Sequence, residues 1–252
     1  MRTIEFVYPS NTHVVSVTGT RCDLNCKHCN GIFLKHMFPV DSVHNKKSVL
    51  VSGGFNYKGE LPITIEHFEK LKKHKLNIHP GLVDSKKAKL IGKYAHTVSF
   101  DFPCSNEIIQ EVYGLNKNMN DYIKSYKLLK ANCDNVVPHV LMGLEGNELR
   151  AIKLIGSIGF DEIVFLVLIP NNKMQNKVPV DKVAGLIKKT KQLFSGKKIS
   201  LGCMRPGGRY REELDVKVLD YADKIVKPSK KAVELAKEKG FNIIEKDECC
   251  VF

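Results

Sequence analysis

Eight short apolar runs rich in β-branched residues recur along the chain, each parted from the next by a longer segment. They read HVVSVTG, SVLVSGG, LNIHPGL, HTVSFDF, VVPHVLMGL, EIVFLVLIP, ISLGCM and DKIVKPS. The longer segments include ITIEHFEKLKK, MNDYIKSYKLLKAN, NELRAIKLIGSIG, VDKVAGLIKKTKQLF and SKKAVELAKEKG, which carry apolar residues at helical spacing. The last opens on Ser229 as an N-cap and stops at Gly240. Strand, crossover helix, strand is the pattern of a parallel sheet covered by helices. The count predicts an α/β fold, a (β/α)8 TIM-type barrel, with a partial (β/α)6 barrel as the alternative. An early run, TIEFVYP, is expected to pair beside the first of the eight. With no repeat or linker in view, residues 1–252 read as one barrel domain with a cysteine-bearing C-terminal tail, 241–252. A length near 250 residues suits a single barrel.

The stretch TGTRCDLNCKHCNGIF, 18–33, places cysteines at 22, 26 and 29. Three thiols so spaced can face one metal centre only from an irregular loop. Four would close a tetrahedral site, whereas three leave a position open for a substrate or cofactor. A zinc loop whose fourth ligand arrives from elsewhere in the chain is the plainer alternative.

Eight cysteines without a signal-peptide pattern point to a reducing compartment, the cytoplasm, where thiols bind metal rather than pair. No stretch approaches the length of a membrane span. The net charge of +13 is spread along lysine-rich helical segments, which is the habit of a solvated face. Nucleic acid is not the expected partner, because the aromatic interleaving of a nucleic-acid groove is absent. An acidic protein partner fits the charge.

Barrel chemistry collects at the C-terminal ends of the strands. GCMRPGGRYR, at the end of the seventh run, crowds Arg205, Arg209 and Arg211 beside Cys203 and reads as an anion site. The following KPSKK opens a helix where barrels often bind anions. Cys133 falls at the opposite end and reads as a buried small apolar residue. If FNIIE climbs back as a strand after the last helix, Cys249 and Cys250 arrive near the mouth beside Cys203. Those three are candidate ligands of an auxiliary iron–sulfur cluster, with Cys104 a fourth candidate; a free tail and a loop thiol are the alternatives.

The CxxxCxxC spacing after an apolar run near the N-terminus resembles the signature of the radical S-adenosylmethionine (SAM) superfamily. The resemblance implies that Cys22, Cys26 and Cys29 hold a 4Fe–4S cluster whose fourth iron binds SAM. The cluster would cleave SAM reductively to a 5′-deoxyadenosyl radical. It also implies an electron donor such as a ferredoxin or flavodoxin. His28 stands where the superfamily usually has an aromatic residue. Ser52, Gly53 and Gly54 resemble its GGE motif, with Phe55 in place of the acid; a plain Gly-Gly turn is the other reading. Ser99 and Asp101 match strand-end positions that reach SAM, and VFLVLIP could form its adenine wall. Gly143 and Glu145 end the fifth run, out of register with the superfamily's GxIxGxxE. Arg205 is the candidate anion contact.

The signature with its flanks, together with SFDF, EVYGL, VVPHVLMGL, LVLIP, GCMRPGGRYR and the terminal ECC, resembles the biotin synthase-related subgroup. That subgroup includes the two-part lipoyl synthases. The closer resemblance implies sulfur insertion at an unactivated carbon, a homologous partner subunit and an acidic lipoyl carrier protein. NNKMQNKVP departs from the Thr- and Gly-containing turn expected after the sixth strand. Other hydrogen-abstraction chemistry on a small metabolite, and an iron–sulfur scaffold or sensor that never cleaves SAM, are the alternatives.

Overall fold

The computed structural model describes residues 2–43 and 45–252. One sheet of eleven parallel strands organises them. The strands are β1 (Thr3–Val7), β2 (Thr12–Ser16), β3 (Phe38–Pro39), β4 (Ser48–Ser52), β5 (Lys75–Ile78), β6 (Thr97–Asp101), β7 (Val136–Met142), β8 (Glu162–Val167), β9 (Lys198–Leu201), β10 (Lys224–Val226) and β11 (Asn242–Lys246). Their order is β11-β1-β10-β9-β8-β7-β6-β5-β4-β2-β3. All eight expected runs contain a strand, but the sheet does not close, because β3 and β11 remain its edges. The partial barrel therefore describes the fold better than the complete (β/α)8 barrel.

Seven helices cover the outer face: α1 (Ile65–Leu71), α2 (Ser85–Tyr94), α3 (Met119–Asn132), α4 (Glu148–Ile158), α5 (Val180–Leu193), α6 (Gly208–Val218) and α7 (Lys230–Glu238). Ser229 caps α7 by accepting from the Ala232 N–H, and Gly240 ends that segment at φ +70°. No helix among the described residues is long and apolar enough to cross a membrane.

Two departures follow from pairing. TIEFVYP does not lie beside HVVSVTG; β1 pairs with β10 and β11, while β2 pairs with β4 and β3. The second half of GCMRPGGRYR is not loop, because α6 begins at Gly208 and carries Arg209 and Arg211 in its first turn.

Side chains alternate between the two faces of the strands. Val98 and Phe100 of β6, Val136 and Val140 of β7, and Ile163 and Phe165 of β8 join the core under the helices. The other face lines the lumen. Asn77, Ser99, His139 and Ser200 are buried polar members of that face. Lower down, Val7, Val137, Val164 and Val226 form a separate apolar cluster with Cys250 and Val251. The tail is thus the floor of the barrel. It enters beside the start of β2, where the Cys249 N–H donates to the Thr12 hydroxyl at 2.6 Å. Lys224 Nζ reaches the Cys250 carbonyl and both Glu162 oxygens, at 2.9 and 3.1 Å for the carboxylate.

Candidate metal centre

The loop after β2 leaves the C-terminal end of the sheet and carries Cys22, Cys26 and Cys29. Its backbone is pinned by the strand-end turn of β4. Gly54 N–H donates to the Thr18 hydroxyl at 2.7 Å, and Asp23 N–H donates to the Phe55 carbonyl at 2.9 Å. A Cβ on Gly54 would lie 2.0 Å from the Arg21 carbonyl oxygen and 2.5 Å from Cys22 Cα. Glycine is required there by close backbone approach. A second anchor comes from the segment after β8. Asn171 Nδ2 donates to the carbonyls of Lys27 and His28 at 3.0 and 2.9 Å. Lys173 Nζ donates to Asn25 Oδ1 and Asn30 Oδ1 at 3.2 and 3.0 Å. The NNKMQNKVP segment, divergent by resemblance, is here a latch on the cysteine loop.

The three thiols interact. A hydrogen bond to Cys29, burial and the Cys29 and Cys22 charges push the Cys26 thiol up. The same bond, against burial and with help from the Gly31 N–H, brings Cys29 down to about 7. Cys22 Sγ points to the Phe55 carbonyl at 3.8 Å and Cys26 Sγ to the Tyr113 carbonyl at 3.6 Å. Beside them, His28 Nδ1 is buried without a partner, its ring 5.1 Å from that of Tyr113. Such an orphaned acceptor or donor is costly, and it marks a polar space at the loop's inner edge. Among the described residues no three His, Cys, Asp or Glu close around a single ion. A four-iron cluster spreads its thiolates wider than one ion does, and three sulfurs on one pinned loop with a polar space beside them fit it.

Beneath the loop, Asp101 ends β6 with its side chain 54% accessible, 3.8 Å from His79 Nδ1. Burial alone would raise its carboxyl, but the bond and charge of His79, with the charges of His139 and His28, hold it below the usual value. Accessible surface and strong burial coexist because the carboxylate faces a lumen that water reaches. The His139 ring lies 5.3 Å from that of His79, and its Nδ1 sits 3.1 Å from the Val137 carbonyl. Burial, then the His79 charge, bring His139 down to about 4. Sequence reasoning missed both histidines. Their signal was period-two placement of Asn77, His79, Ser99, Asp101 and His139 in otherwise apolar runs.

The other candidates separate into different places. Ser52 ends β4 beside Gly53 and Gly54, and its carbonyl accepts from the Val17 N–H at 2.9 Å. Ser99 is in the wall and donates its hydroxyl to Asn77 Oδ1 at 3.0 Å; Asn77 Nδ2 in turn donates to Cys249 Sγ at 3.4 Å. Gly143 and Glu145 line a groove of about 1460 Å³ that also contains Cys104, Lys27, Arg150 and Lys173. Cys104 is buried there near Glu148, which with burial pushes its thiol up to about 12. It is not gathered with the other three candidate auxiliary ligands. Cys133, at the end of α3, is buried in the outer core.

Arg205 is not an open anion site. It is 1% exposed and forked onto Asp215 of α6 at 2.9 and 3.0 Å, with its remaining donors on the Gly202 and Lys227 carbonyls at 2.6 and 3.2 Å. Asp215 Oδ2 also accepts from the Ser229 N–H at 2.8 Å, so a side-chain carboxylate already occupies the backbone donor ahead of α7. Burial pushes Asp215 up and Arg205 down, while each charge pulls the other back. The bidentate geometry marks the pair as ionised.

Cys203 follows β9 at the same end as the cysteine loop. FNIIE does form a strand, β11, but the tail delivers Cys249 and Cys250 to the lumen floor and not to the mouth. The two sets still meet electrostatically: burial first, then charge at Cys249, push the Cys203 thiol up. A hydrogen bond from Cys250, against burial and helped by the Val251 N–H and Asn77, brings Cys249 down to about 6.

No protein-family profile matches the chain, and no curated protein sequence does. Solved structures do share its fold. The FeFe-hydrogenase maturase HydG from Carboxydothermus hydrogenoformans superposes with a TM-score of 0.64 at 14% identity, over 96% of this chain and 67% of its own. Methylornithine synthase (PylB) gives 0.63 at 11%, over 96% and 84%. Streptococcus suis SuiB bound to S-adenosylmethionine gives 0.56 at 14%, over 89% of this chain and 58% of SuiB. At such identities the likeness is one of fold.

Proposed function

We propose that this chain is a radical SAM enzyme. Its loop cysteines would hold a 4Fe–4S cluster and SAM, and reductive cleavage would give a 5′-deoxyadenosyl radical that takes hydrogen from an unactivated carbon. One observation carries the reading: Cys22, Cys26 and Cys29 sit on one loop, pinned by Gly54 and Asn171, above a lumen lined by Asp101, His79 and His139. The fold it shares with a structure holding SAM supports it. The cluster and SAM supply the radical chemistry, while the chain orients them and limits water in the lumen. A ferredoxin- or flavodoxin-class donor and a reducing, cytoplasmic setting belong to the same reading.

The test is anaerobic reconstitution with iron and sulfide. We expect about four irons per chain by the stoichiometry of such clusters, and a reduced-cluster paramagnetic resonance signal that changes on adding SAM. Cys26→Ala should lose both. Iron-loaded protein whose signal ignores SAM would reject the proposal.

A second reading takes the substrate radical on to sulfur insertion, in the manner of a lipoyl synthase with a homologous partner subunit and an acidic lipoyl carrier protein. What favours it is the approach of Cys203, Cys249 and Cys250 to one lumen, where an auxiliary cluster would be a sulfur source.

A further inference from the structure

Three thiols from two distant segments converge in the lumen, and they are not equivalent. Cys250 is walled in by the apolar floor with Val7, Val137, Val164 and Val226 and turns its S–H to Cys249. Cys249 Sγ is held by Asn77 Nδ2 and by Cys250. Neither offers a free sulfur face. Cys203 differs, since of the eight cysteines it alone is exposed. Its ionisation is nevertheless governed first by burial. A sulfur surrounded by protein and still touched by solvent faces an enclosed, water-reachable space. That space is the lumen, entered from the end that carries the cysteine loop.

We propose that Cys203 is a hydrogen-atom donor to carbon radicals formed in the lumen. This rests on the radical SAM reading and gives the radical a different end from sulfur insertion. In the step, the Cys203 S–H bond breaks homolytically and a C–H bond forms, leaving product and a Cys203 thiyl. The thiyl then takes one electron from the same class of low-potential reductant that SAM cleavage consumes, and one proton from lumen water, restoring the thiol. An S–H bond is weaker than an alkyl C–H bond, so the transfer runs downhill. It is also weaker than the O–H and N–H bonds of the other exchangeable groups nearby. Negative charge at Cys249 disfavours loss of the Cys203 proton, which keeps the transferable hydrogen in place.

The experiment needs no substrate. Reconstituted full-length protein is turned over in D2O with SAM and dithionite alone, and 5′-deoxyadenosine is analysed by mass spectrometry. The thiol exchanges to S–D, so quenching of the 5′-deoxyadenosyl radical by Cys203 places one deuterium in the product. We expect singly labelled 5′-deoxyadenosine from the wild type and loss of label per molecule formed in Cys203→Ala. Cys203→Ser, which keeps the shape and offers only a strong O–H bond, should lose it too. Label that persists in both variants, or unlabelled product from the wild type, overturns the inference and leaves the radical SAM reading intact. No 5′-deoxyadenosine at all overturns both. Iron retained by the variant lacking Cys22, Cys26 and Cys29, and released on removing Cys203, makes Cys203 a cluster ligand and overturns the inference in favour of sulfur chemistry.

Discussion

Gly54 lies against Cys22 with no room for a side chain: a Cβ there would be 2.5 Å from Cys22 Cα and 2.6 Å from its Cβ. The end of β4 and the cysteine loop are one packed unit. Gly54→Ala should displace the loop, costing about 1–3 kcal/mol as overpacking does, and lower iron retained after reconstitution. Iron counting and thermal unfolding check this, and a variant that keeps full iron would separate the turn from the loop.

Asn171 closes the loop from the other side through two carbonyls, at 3.0 and 2.9 Å. Asn171→Ala removes both donors, each worth about 0.5–1.5 kcal/mol. We expect faster iron loss to a chelator with little change in global stability, because the segment belongs to the mouth and not to the core. Equal loss rates in wild type and variant would count against the latch.

His139 sets a pH dependence. Its folded value is about 4, below the ordinary 6.5. A depressed histidine contributes stability that is present above 6.5 and is lost as pH falls through about 4. The shift corresponds to about 3 kcal/mol at most, since one unit is about 1.4 kcal/mol. Urea unfolding of the wild type should therefore weaken between pH 6.5 and 4. His139→Gln should flatten that slope, and an unchanged slope would place the titration elsewhere.

The Arg205–Asp215 pair is fully enclosed, with neither side chain exposed. Asp215→Asn leaves a buried guanidinium uncompensated and should cost about 3–5 kcal/mol. Replacing both by apolar residues of similar size should cost less than the single change. Chemical denaturation of the two variants decides it.

Much of the strand pattern could be read directly, because β-branched runs such as SVLVS and EIVFLV become strands β4 and β8. Openness of the sheet could not. It depends on β1 and β2 pairing at opposite ends, which periodicity does not encode. Helix α2, whose only strong signal was Asp84 as its cap, was not among the segments singled out. Arg205 looked free because its partner, Asp215, lies ten residues on in a helix masked by the glycines before it. The tail was read as turning back, correctly, but its destination follows from Thr12 and Lys224, contacts that bridge more than two hundred residues in one case and twenty-six in the other. The cysteine spacing was the most legible feature. What anchors that loop, Gly54 excepted as a turn, came only from the fold.

The central claim is that the loop of Cys22, Cys26 and Cys29 serves SAM cleavage. The direct measurement is 5′-deoxyadenosine formed from SAM and dithionite by anaerobically reconstituted protein, followed by chromatography. We predict product from the wild type and none from the variant with all three replaced by Ala, which should keep its helical circular dichroism. Product from that variant, or none from iron-loaded wild type, would contradict the account.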